Sequence, residues 1–351
     1  MPGRSPEHTT TSRKKEHLTI ALTRDVGFRA KSTGFETWEF VHNALPETNL
    51  ADVDTSTLFL GRKLSFPLMI SCMTGGYADA LAINRTLATV CQRAGIALGI
   101  GSQRQALENR VYHRTFSVVR EVAPDIPIVG NIGAAEVGRM INADGAKQLV
   151  DLIRADAFAV HLNPLQEFLQ PEGTPNYQGV LRGIGMLVAD LPVPVIVKEI
   201  GAGISAAVAQ RLLDAGVRYI DVAGAGGTSW AGVEALRRKD RAYAEQFWDW
   251  GIPTAESLRQ VAELKRGSRS FTLIGSGGIR NGMDAAKCVA MGADLAASAR
   301  PMLDVLHRAG ESGLARLLEE WRRTFQGAMF LTGATTVPAF QLVPMARRDA
   351  R

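Results

Sequence analysis

The sequence contains few cysteines and no long apolar run. Three of its 351 residues are cysteine (Cys72, Cys91 and Cys288), and their spacing is not that of metal ligands. Each lies in an apolar pattern, so we expect buried, reduced thiols. No apolar run approaches the roughly 20 residues of a membrane-spanning helix, and no N-terminal stretch resembles a signal peptide. These absences favour a soluble, cytoplasmic protein with no membrane partner.

A strong excess of charge of one sign is also absent. The formal net charge at pH 7 is +5, from 40 lysines and arginines against 35 acidic residues. Short basic clusters occur at Arg13–Lys15, Arg237–Lys239 and Arg347–Arg348. Nucleic-acid-binding proteins usually have a denser basic face, so we expect no nucleic-acid partner. A small anionic substrate explains the mild positive charge more simply.

From residue 66 onward, eight short apolar runs alternate with helical patterns. The runs are 66–73, 96–101, 126–132, 157–162, 194–200, 219–223, 271–275 and 294–298. The helical patterns are 79–94, 105–121, 144–154, 177–190, 204–215, 254–265, 281–291 and 313–331. Nearly continuous apolar strands between amphipathic helices predict an α/β fold with a helix-covered parallel sheet, and eight units predict closure into a (β/α)8 barrel. An open, doubly wound sheet is the alternative that this number of units disfavours.

The segments on either side of these units lie outside the repeat. We expect residues 1–12 to form a disordered tail, because they are polar and rich in threonine and serine. Residues 13–65 are predicted to cap the barrel or to extend over its mouth. The barrel then spans 66–335, and 336–351 form a C-terminal tail that we also expect to be disordered.

Two glycine-rich loops in the last quarter of the chain are the most informative motif. Ile274–Arg280 and Gly292–Arg300 read as strand, glycine turn, helix, strand and glycine turn. In phosphate-binding barrels, the loops after strands 7 and 8 present backbone N–H groups and a helix N-terminus to a phosphate, and a side chain there would hold it away. The motif predicts a site for flavin mononucleotide (FMN) or a sugar phosphate; one such loop alone is also compatible with an ordinary turn.

Polar residues stand at the carboxyl end of nearly every predicted strand, where the active sites of such barrels lie. The segments are MTGG (73–76), GSQR (101–104), Asn131, HLNPLQE (161–167), Lys198-Glu199 and GAGGTSW (224–230). Lys198 ends an apolar strand and is either a surface lysine or a cation beside the flavin ring, where it would stabilise the reduced, anionic form. Thr74, Ser102 and Asn131 are candidates for neutral hydrogen bonds to the ring.

Together these motifs resemble one family. Arg13, Lys14 and His17, the strand-end motifs and SGGIR (276–280) occur in the order typical of type 2 isopentenyl-diphosphate isomerases, over residues 13–340. HLNPLQE and GAGGTSW are the most specific of them. The resemblance implies an FMN-dependent (β/α)8 barrel that interconverts isopentenyl and dimethylallyl diphosphate. It also implies Mg²⁺, reduced FMN with NADPH as reductant, and a homo-oligomer of four or more subunits.

The resemblance assigns roles to individual residues. FMN contacts fall on Met73, Thr74, Gly75, Ser102, Asn131, Lys198, Thr228, Gly278, Ile279, Arg280, Ala299 and Arg300. Contacts to the diphosphate substrate fall on Arg13, Lys14, Ser102, Gln103, Arg104, His161 and Gln166. Catalytic roles fall on Gln166, His161 and Lys198, and Glu167 would bind Mg²⁺. The family often has serine where this chain has Ala223, which would remove one hydrogen bond to FMN, about 1 kcal/mol.

The residues also leave other interpretations open. Arg13 and Lys14 fit a solvated tail, His161 a core histidine, and Glu167 the start of a helix. A 2-hydroxy-acid oxidase needs a base, usually histidine, but no histidine lies between His161 and His307. The loop after strand 6 has no cysteine, which disfavours a nucleotide dehydrogenase with a cysteine nucleophile. A non-catalytic flavin-binding barrel would leave HLNPLQE unexplained.

The isomerisation adds one proton to the substrate and removes another. Gln166 is not an ordinary general acid, and no carboxylate–histidine pair is evident in the sequence at the flavin face. We therefore predict that N5 of reduced FMN exchanges both protons, with water excluded. The long loop 225–253 is predicted to close over the isoprenoid through Trp230, Trp248 and Trp250, for which core or inter-subunit packing is the alternative.

Overall fold

Eight parallel strands close into a barrel. This computed structural model describes residues 6–266 and 270–348. The strands in that part are β1 (Trp38–Phe40), β2 (Thr57–Phe59), β3 (Arg62–Leu64), β4 (Leu68–Ile70), β5 (Ala97–Gly99), β6 (Ile128–Gly133), β7 (Ala157–His161), β8 (Val195–Lys198), β9 (Tyr219–Asp221), β10 (Thr272–Gly275), β11 (Leu295–Ser298) and β12 (Met345–Arg347). Strands β4 to β11 follow one another around the barrel, and β11 pairs with β4. The predicted (β/α)8 barrel is confirmed, and each predicted apolar run overlaps one barrel strand.

Helices surround the barrel. Those in the described ranges are α1 (Pro6–Thr23), α2 (Ala80–Ala94), α3 (Arg104–Glu108), α4 (His113–Val122), α5 (Ala134–Arg139), α6 (Asp144–Ile153), α7 (Pro164–Leu169), α8 (Val180–Asp190), α9 (Ala206–Asp214), α10 (Trp230–Arg237), α11 (Arg241–Glu245), α12 (Thr254–Glu263), α13 (Gly282–Ala290), α14 (Arg300–Leu331) and α15 (Val337–Phe340). Short 3₁₀ turns form at Phe35–Thr37, Leu50–Asp52 and Leu264–Arg266. Among the described residues, no helix has the length and apolarity needed to cross a membrane.

Two predicted helices have different bounds in the structure. The helix predicted at 105–121 divides into α3 and α4, because the backbone of Asn109 is extended. The helix predicted at about 313–331 matches the second of two helical segments of α14, which are separated at Gly310, where φ is positive (65°). The first segment starts earlier, at Arg300, and was not predicted. The earlier start matters for function, since it places the first turn of α14 at the carboxyl end of β11.

Part of the N-terminal extension closes the end of the barrel opposite the mouth. Inward side chains of the strands form the inner core. Phe59 and Leu64 of the β2–β3 hairpin pack into that core, and Nε of Arg62 donates to Asp156 at the start of β7 (2.9 Å). Residues 13–65 were predicted to cap the barrel or to extend over its mouth; this hairpin lies at the closed end, and α1 lies at the mouth. With one end plugged, a ligand site is left at the carboxyl ends of the strands.

Helix α1 crosses the mouth, and it begins earlier than predicted. It is helical from Pro6, so the disorder expected for residues 1–12 is wrong from residue 6 onward, whereas residues 1–5 lie outside the described part. Glu16 of α1 is paired with Arg237 of α10 (2.9 Å), and Lys15 with Asp79 at the other side (3.1 Å). These contacts to the barrel loops explain the order of a segment whose own sequence is polar.

The C-terminal tail is a strand where disorder was expected. β12 pairs antiparallel with β1, with Arg347 opposite Trp38. Arg348 adds an ion pair to Glu39 (2.8 Å) and a backbone hydrogen bond to Thr37 (2.8 Å). Residues 349–351 of the predicted tail lie outside the described part.

Candidate active site

A cavity of about 670 Å³ opens at the carboxyl ends of the barrel strands, beneath α1. This volume lies in the range of roughly 300–1,000 Å³ that is typical of ligand and cofactor sites. The residues predicted from the sequence that line it are Arg13, Lys14, Met73, Thr74, Gly75, Ser102, Arg104, Asn131, His161, Gln166, Glu167, Lys198, Thr228, Gly278, Ile279, Arg280, Ala299 and Arg300.

Gln103 does not reach the cavity, so its predicted substrate contact is wrong. Its side chain is 0% exposed. Nε2 donates to Leu149 O (2.9 Å), and Oε1 accepts from Asn131 N (3.1 Å). The turn into α3 directs this side chain into the barrel wall, while its neighbours Ser102 and Arg104 face the cavity.

The glycine loop after β10 and the start of α14 form a phosphate cradle. Gly277 and Gly278 have φ values of 101° and 72°. A Cβ on Gly278 would lie 2.5 Å from Thr33 Cγ2 and 2.9 Å from the backbone of Gly226. Arg300 begins α14; its Nη2 donates to Arg24 O (3.3 Å), and its buried Nε lies 3.7 Å from Asp304 Oδ2, beyond hydrogen-bond distance. A glycine loop that leaves no room for side chains, beside an arginine that lines the same cavity, suits the phosphate of FMN.

Lys198 is buried at the floor of the cavity. It is 5% exposed, so its interpretation as a surface lysine is wrong. Its Nζ donates to Glu199 O (2.6 Å) and lies 3.4 Å from Oδ2 of Asp221 on β9. Glu199 turns its own carboxylate away to accept from the next three backbone N–H groups. Burial raises the pKa of Glu199 to about 7, although those N–H groups and Lys198 oppose the shift.

His161 and Asn131 form a hydrogen-bonded pair in the cavity wall. His161 Nδ1 lies 2.9 Å from Asn131 Oδ1. The amide oxygen can only accept, so Nδ1 carries the proton and donates it. Burial, reinforced by the charges of Lys198 and Lys14, lowers the pKa of His161 to about 3. His161 is therefore a neutral polar group of the site and not a core histidine.

Arg13, Lys14 and Arg104 bring three cations to one side of the cavity. Lys14 Nζ donates to the carbonyls of Gly75 (2.9 Å) and Ser102 (2.7 Å). Burial and then the charge of Arg13 lower the pKa of Lys14 to about 7, and burial and Arg104 lower the pKa of Arg13. Cations that destabilise one another favour an anion between them. The solvated-tail interpretation of Arg13 and Lys14 is therefore wrong.

Sequence reasoning missed Glu234, a fully buried carboxylate on α10. Its Oε1 accepts from Gln166 Nε2 (3.1 Å) and lies 2.9 Å from His17 Nε2, and its Oε2 accepts from Arg237 (2.7 Å). Burial opposes its ionisation, but the contacts to His17 and Arg237 outweigh it and lower the pKa of Glu234. A carboxylate–histidine pair thus lies beside the cavity, between α10 and α1, which is not the flavin face where none was evident from the sequence. The sequence offered one signal for Glu234: it is a charged residue four positions after Trp230, one turn into the helix that starts at the end of the GAGGTSW motif.

Glu167 lies beside Gln166 at the rim of the cavity. Its Oε1 accepts from Asn163 Nδ2 (3.1 Å) and its Oε2 from Thr174 N (2.8 Å). Residues 6–266 and 270–348 contain no cluster of three or more acidic, histidine or cysteine side chains that could hold a metal. Mg²⁺ needs only one or two protein carboxylates when water and phosphate oxygens complete its octahedron. The geometry fits an ion that arrives with an anionic substrate.

Of the three tryptophans predicted to cover the site, Trp230 alone lines the cavity. Trp248 is 4% exposed and donates to Gly27 O (2.7 Å), whereas Trp250 is 61% exposed. The loop 225–253 folds largely into α10 and α11 and packs beside the mouth. The apolar roof of the cavity comes from α1, through Leu18, Ala21 and Leu22.

One predicted FMN contact, Thr74, has little freedom to hydrogen-bond a ligand, and Ala223 has none, as expected. The Thr74 hydroxyl is bonded to Asn84 Oδ1. Ala223 lines the cavity with a positive φ of 36°, and its methyl group offers no hydrogen bond. Asn131, Lys198 and Ser276 are other polar side chains that line the cavity.

Most of the chain is similar to known proteins. Residues 7–117 and 163–343 match the FMN-dependent dehydrogenase family. An isopentenyl-diphosphate delta-isomerase of Chlorobaculum parvum is 48% identical over 351 residues, with 97% of this chain and 98% of that protein covered. One of Methanothermobacter thermautotrophicus is 45% identical, with 95% and 93% covered. The chain belongs to the isopentenyl-diphosphate delta-isomerase family.

Solved structures support the fold of this isomerase-family member. A mandelate oxidase has a TM-score of 0.66 at 17% identity, covering 99% of this chain and 100% of that one. A mandelate oxidase structure with benzoyl-formic acid has a TM-score of 0.65 at 18% identity, covering 98% of both chains. At such identities the likeness shows the barrel and not the oxidase chemistry. The family match and the phosphate cradle together make FMN the cofactor of the isomerase.

Proposed function

We propose that this protein interconverts isopentenyl diphosphate and dimethylallyl diphosphate in isoprenoid biosynthesis, with reduced FMN in the cavity. The observation that carries the proposal is the meeting of Arg13, Lys14 and Gln166 in one cavity with the phosphate cradle. The cation cluster and the cradle give two separate places for phosphate groups in one site. When bound in its reduced form, FMN supplies at N5 the group that exchanges protons with the alkene.

The cations hold the diphosphate. Arg13 and Arg104 have the planar donor geometry that suits two phosphate oxygens at once, and Lys14 acts as a point charge. Because the pKa of free Lys14 is about 7, the negative charge of a bound diphosphate favours its protonated form. Substrate binding thus favours a protonated Lys14, so that all three side chains of the cluster are cations.

The apolar part of the substrate requires a dry site, since an alkene is a very weak base. Leu18 and Leu22 of α1 exclude water from above. Trp230 offers an apolar wall, and the ring of His17 meets it edge to face at 5.5 Å. Gln166, fixed by Glu234, orients the substrate carbons and donates no proton itself. At the floor, Lys198 stabilises the negative charge of the reduced cofactor.

Glu167 is the proposed Mg²⁺ ligand, supported by its position at the rim beside the cation cluster. Glu167 would hold the ion, which would neutralise part of the negative charge of the diphosphate. A Glu167→Gln variant should need a higher Mg²⁺ concentration for half-maximal activity, while Glu121→Gln, on the outer helix α4, should keep the wild-type value. Equal Mg²⁺ requirements in both variants would contradict this role.

NADPH is the proposed reductant. The isomerisation has no net redox change, so electrons must be supplied once from outside to keep the cofactor reduced. Anaerobic bleaching of the bound flavin at 450 nm by NADPH, compared with NADH at equal concentration, tests the choice. If NADH bleaches the flavin and NADPH does not, the reductant is NADH and the proposed choice of NADPH is wrong.

We also propose a homo-oligomer of four or more subunits. Its support is an exposed aromatic cluster beside the mouth, formed by Phe168, Tyr243, Phe247 and Trp250, with ring centroids 5.4–6.1 Å apart. Exposed apolar patches of this kind typically mark contacts between proteins. Light scattering should give a mass of at least four chains for the wild type and a smaller mass for Trp250→Lys. A monomeric wild type would end this proposal.

The test of the activity is anaerobic incubation of the protein with isopentenyl diphosphate, Mg²⁺, FMN and dithionite. Formation of dimethylallyl diphosphate that stops when FMN stays oxidised is the expected result. If the protein binds FMN but forms no product, the flavin site stands and the proposed substrate is wrong. An oxidase screen with 2-hydroxy acids would then follow.

A further inference from the structure

Asp221 is a fully buried carboxylate that no step of the proposed reaction uses. It lies on β9, directly across from Lys198 of β8. Its Oδ1 accepts from Ser276 Oγ (2.5 Å) and from Ala223 N (3.2 Å). Its Oδ2 has no hydrogen-bond partner among the described residues and faces Lys198 Nζ at 3.4 Å. One oxygen is therefore anchored, and the other is directed at the lysine.

The surroundings of Lys198 show why this carboxylate matters. An ammonium group that is 5% exposed needs a nearby counter-charge. Its other close partner is the Glu199 carbonyl, and the Glu199 carboxylate is engaged by backbone N–H groups. The neutral His161 and the thiol of Cys72, whose pKa burial raises to about 12, supply no negative charge. Asp221 is thus the anion that balances Lys198.

Asp221 cannot act on a ligand directly. It is 0% exposed and does not line the cavity, whereas Lys198 and Ser276 both do. Asp221 therefore makes no direct contact with a bound cofactor, and the two cavity-lining side chains that it contacts are Lys198 and Ser276. Of these two, only Lys198 can carry a charge that depends on Asp221.

We propose that Asp221 is a positioning residue that keeps Lys198 protonated whether the flavin is oxidised or reduced. The proposal rests on the flavin site described above. With Asp221 present, the lysine carries its charge before electrons arrive, and reduction of the flavin draws no proton onto Nζ. Without that carboxylate, the buried amine is neutral beside the oxidised flavin and takes up one proton when two electrons make the flavin anionic.

The test is the pH dependence of the flavin midpoint potential, measured by dithionite titration of the FMN-loaded protein from pH 6 to 9. One extra proton per two electrons steepens the dependence by about 30 mV per pH unit, because a tenfold change corresponds to about 30 mV for two electrons. We expect this steeper dependence in Asp221→Asn and its absence in Asp221→Asn/Lys198→Gln. Ser276→Ala, which keeps the carboxylate, should retain the wild-type dependence.

The outcomes separate this role from a structural one. A shifted potential in Asp221→Asn with the wild-type pH dependence would overturn the proposal, as would a steeper dependence that persists in the double variant. A wild type that binds no FMN would instead contradict the flavin site. If Asp221→Asn does not fold, the stability of Asp221→Asn/Lys198→Gln is measured by urea denaturation. A folded double variant supports the pairing of Asp221 with Lys198, and a double variant that also fails to fold overturns it.

Discussion

Gln166 Nε2 donates a 3.1 Å hydrogen bond to the buried Oε1 of Glu234, and the same oxygen lies 2.9 Å from His17 Nε2. The contact joins three separate elements: α7 at the end of the HLNPLQE motif, α10 after GAGGTSW, and α1 across the mouth. An ionised Glu234 leaves Gln166 one orientation, with its amide nitrogen toward the carboxylate and its oxygen toward Asn163 Nδ2 (3.2 Å). The substrate side of the cavity is therefore ordered by a group that does not line it.

Glu234→Gln should lower kcat/KM about 10- to 100-fold, since a hydrogen bond to a charged group contributes about 1.5–3 kcal/mol. FMN affinity should stay unchanged, because Glu234 does not contact the phosphate cradle. Glu172→Gln is the matched control. It also removes a carboxylate from Arg237, but one that is partly exposed, so kcat/KM should change less than about threefold. Equal losses in the two variants would mean that Arg237, and not Gln166, transmits the effect.

Lys14→Gln should raise the KM for isopentenyl diphosphate about 10- to 100-fold, the loss of one charge-assisted contact. The neighbouring Lys15 is exposed and paired with Asp79 (3.1 Å), so Lys15→Gln should change KM less than about threefold. The pKa of Lys14 is about 7, so its cation is present below that pH and lost above it. Initial rates across pH should show diphosphate affinity falling as pH rises through 7 in the wild type and staying flatter in Lys14→Gln.

Gly278→Ala should abolish tight FMN binding, because the added Cβ would overlap Thr33 and the Gly226 backbone at a position with φ 72°. Gly327→Ala is the control: a Cβ there meets nothing within 4 Å on α14. That helical substitution should raise stability by up to about 1 kcal/mol and leave the flavin in place. Fluorescence titration with FMN and urea denaturation measure both effects, and a fully flavinated Gly278→Ala protein would contradict the cradle.

Much of this site follows from local sequence. In a parallel barrel, every strand ends at the same face, so Lys198, His161 and Asn131 converge wherever their strands are placed correctly. Alternation along β9 also directs Asp221 inward with Tyr219, which is the signal that could have revealed the partner of Lys198. The glycine loops are readable because only one residue type fits them.

The rest depended on contacts that no local pattern records. His17 and Glu234 are 217 positions apart and meet only because α1 packs across the mouth. Gln103 looked equivalent to Ser102 and Arg104, and the direction of its side chain is set by the turn into α3. The tail at Met345–Arg347 is too short to show a strand pattern, and it becomes a strand because it pairs with β1.

His161→Asn should make the protein less sensitive to acid. The pKa of buried His161 is about 3 in the folded protein, against an ordinary value of 6.5. Between these values the unfolded chain binds the extra proton, so this contribution to stability is present above pH 6.5 and lost as pH falls toward 3. Its slope is at most about 1.4 kcal/mol per pH unit. Urea denaturation of the FMN-free protein between pH 7 and 4 should show a shallower loss in His161→Asn than in the wild type. His42→Asn, at an exposed position, should follow the wild type, and a His161→Asn curve parallel to both would show that the ring is protonated in the folded state.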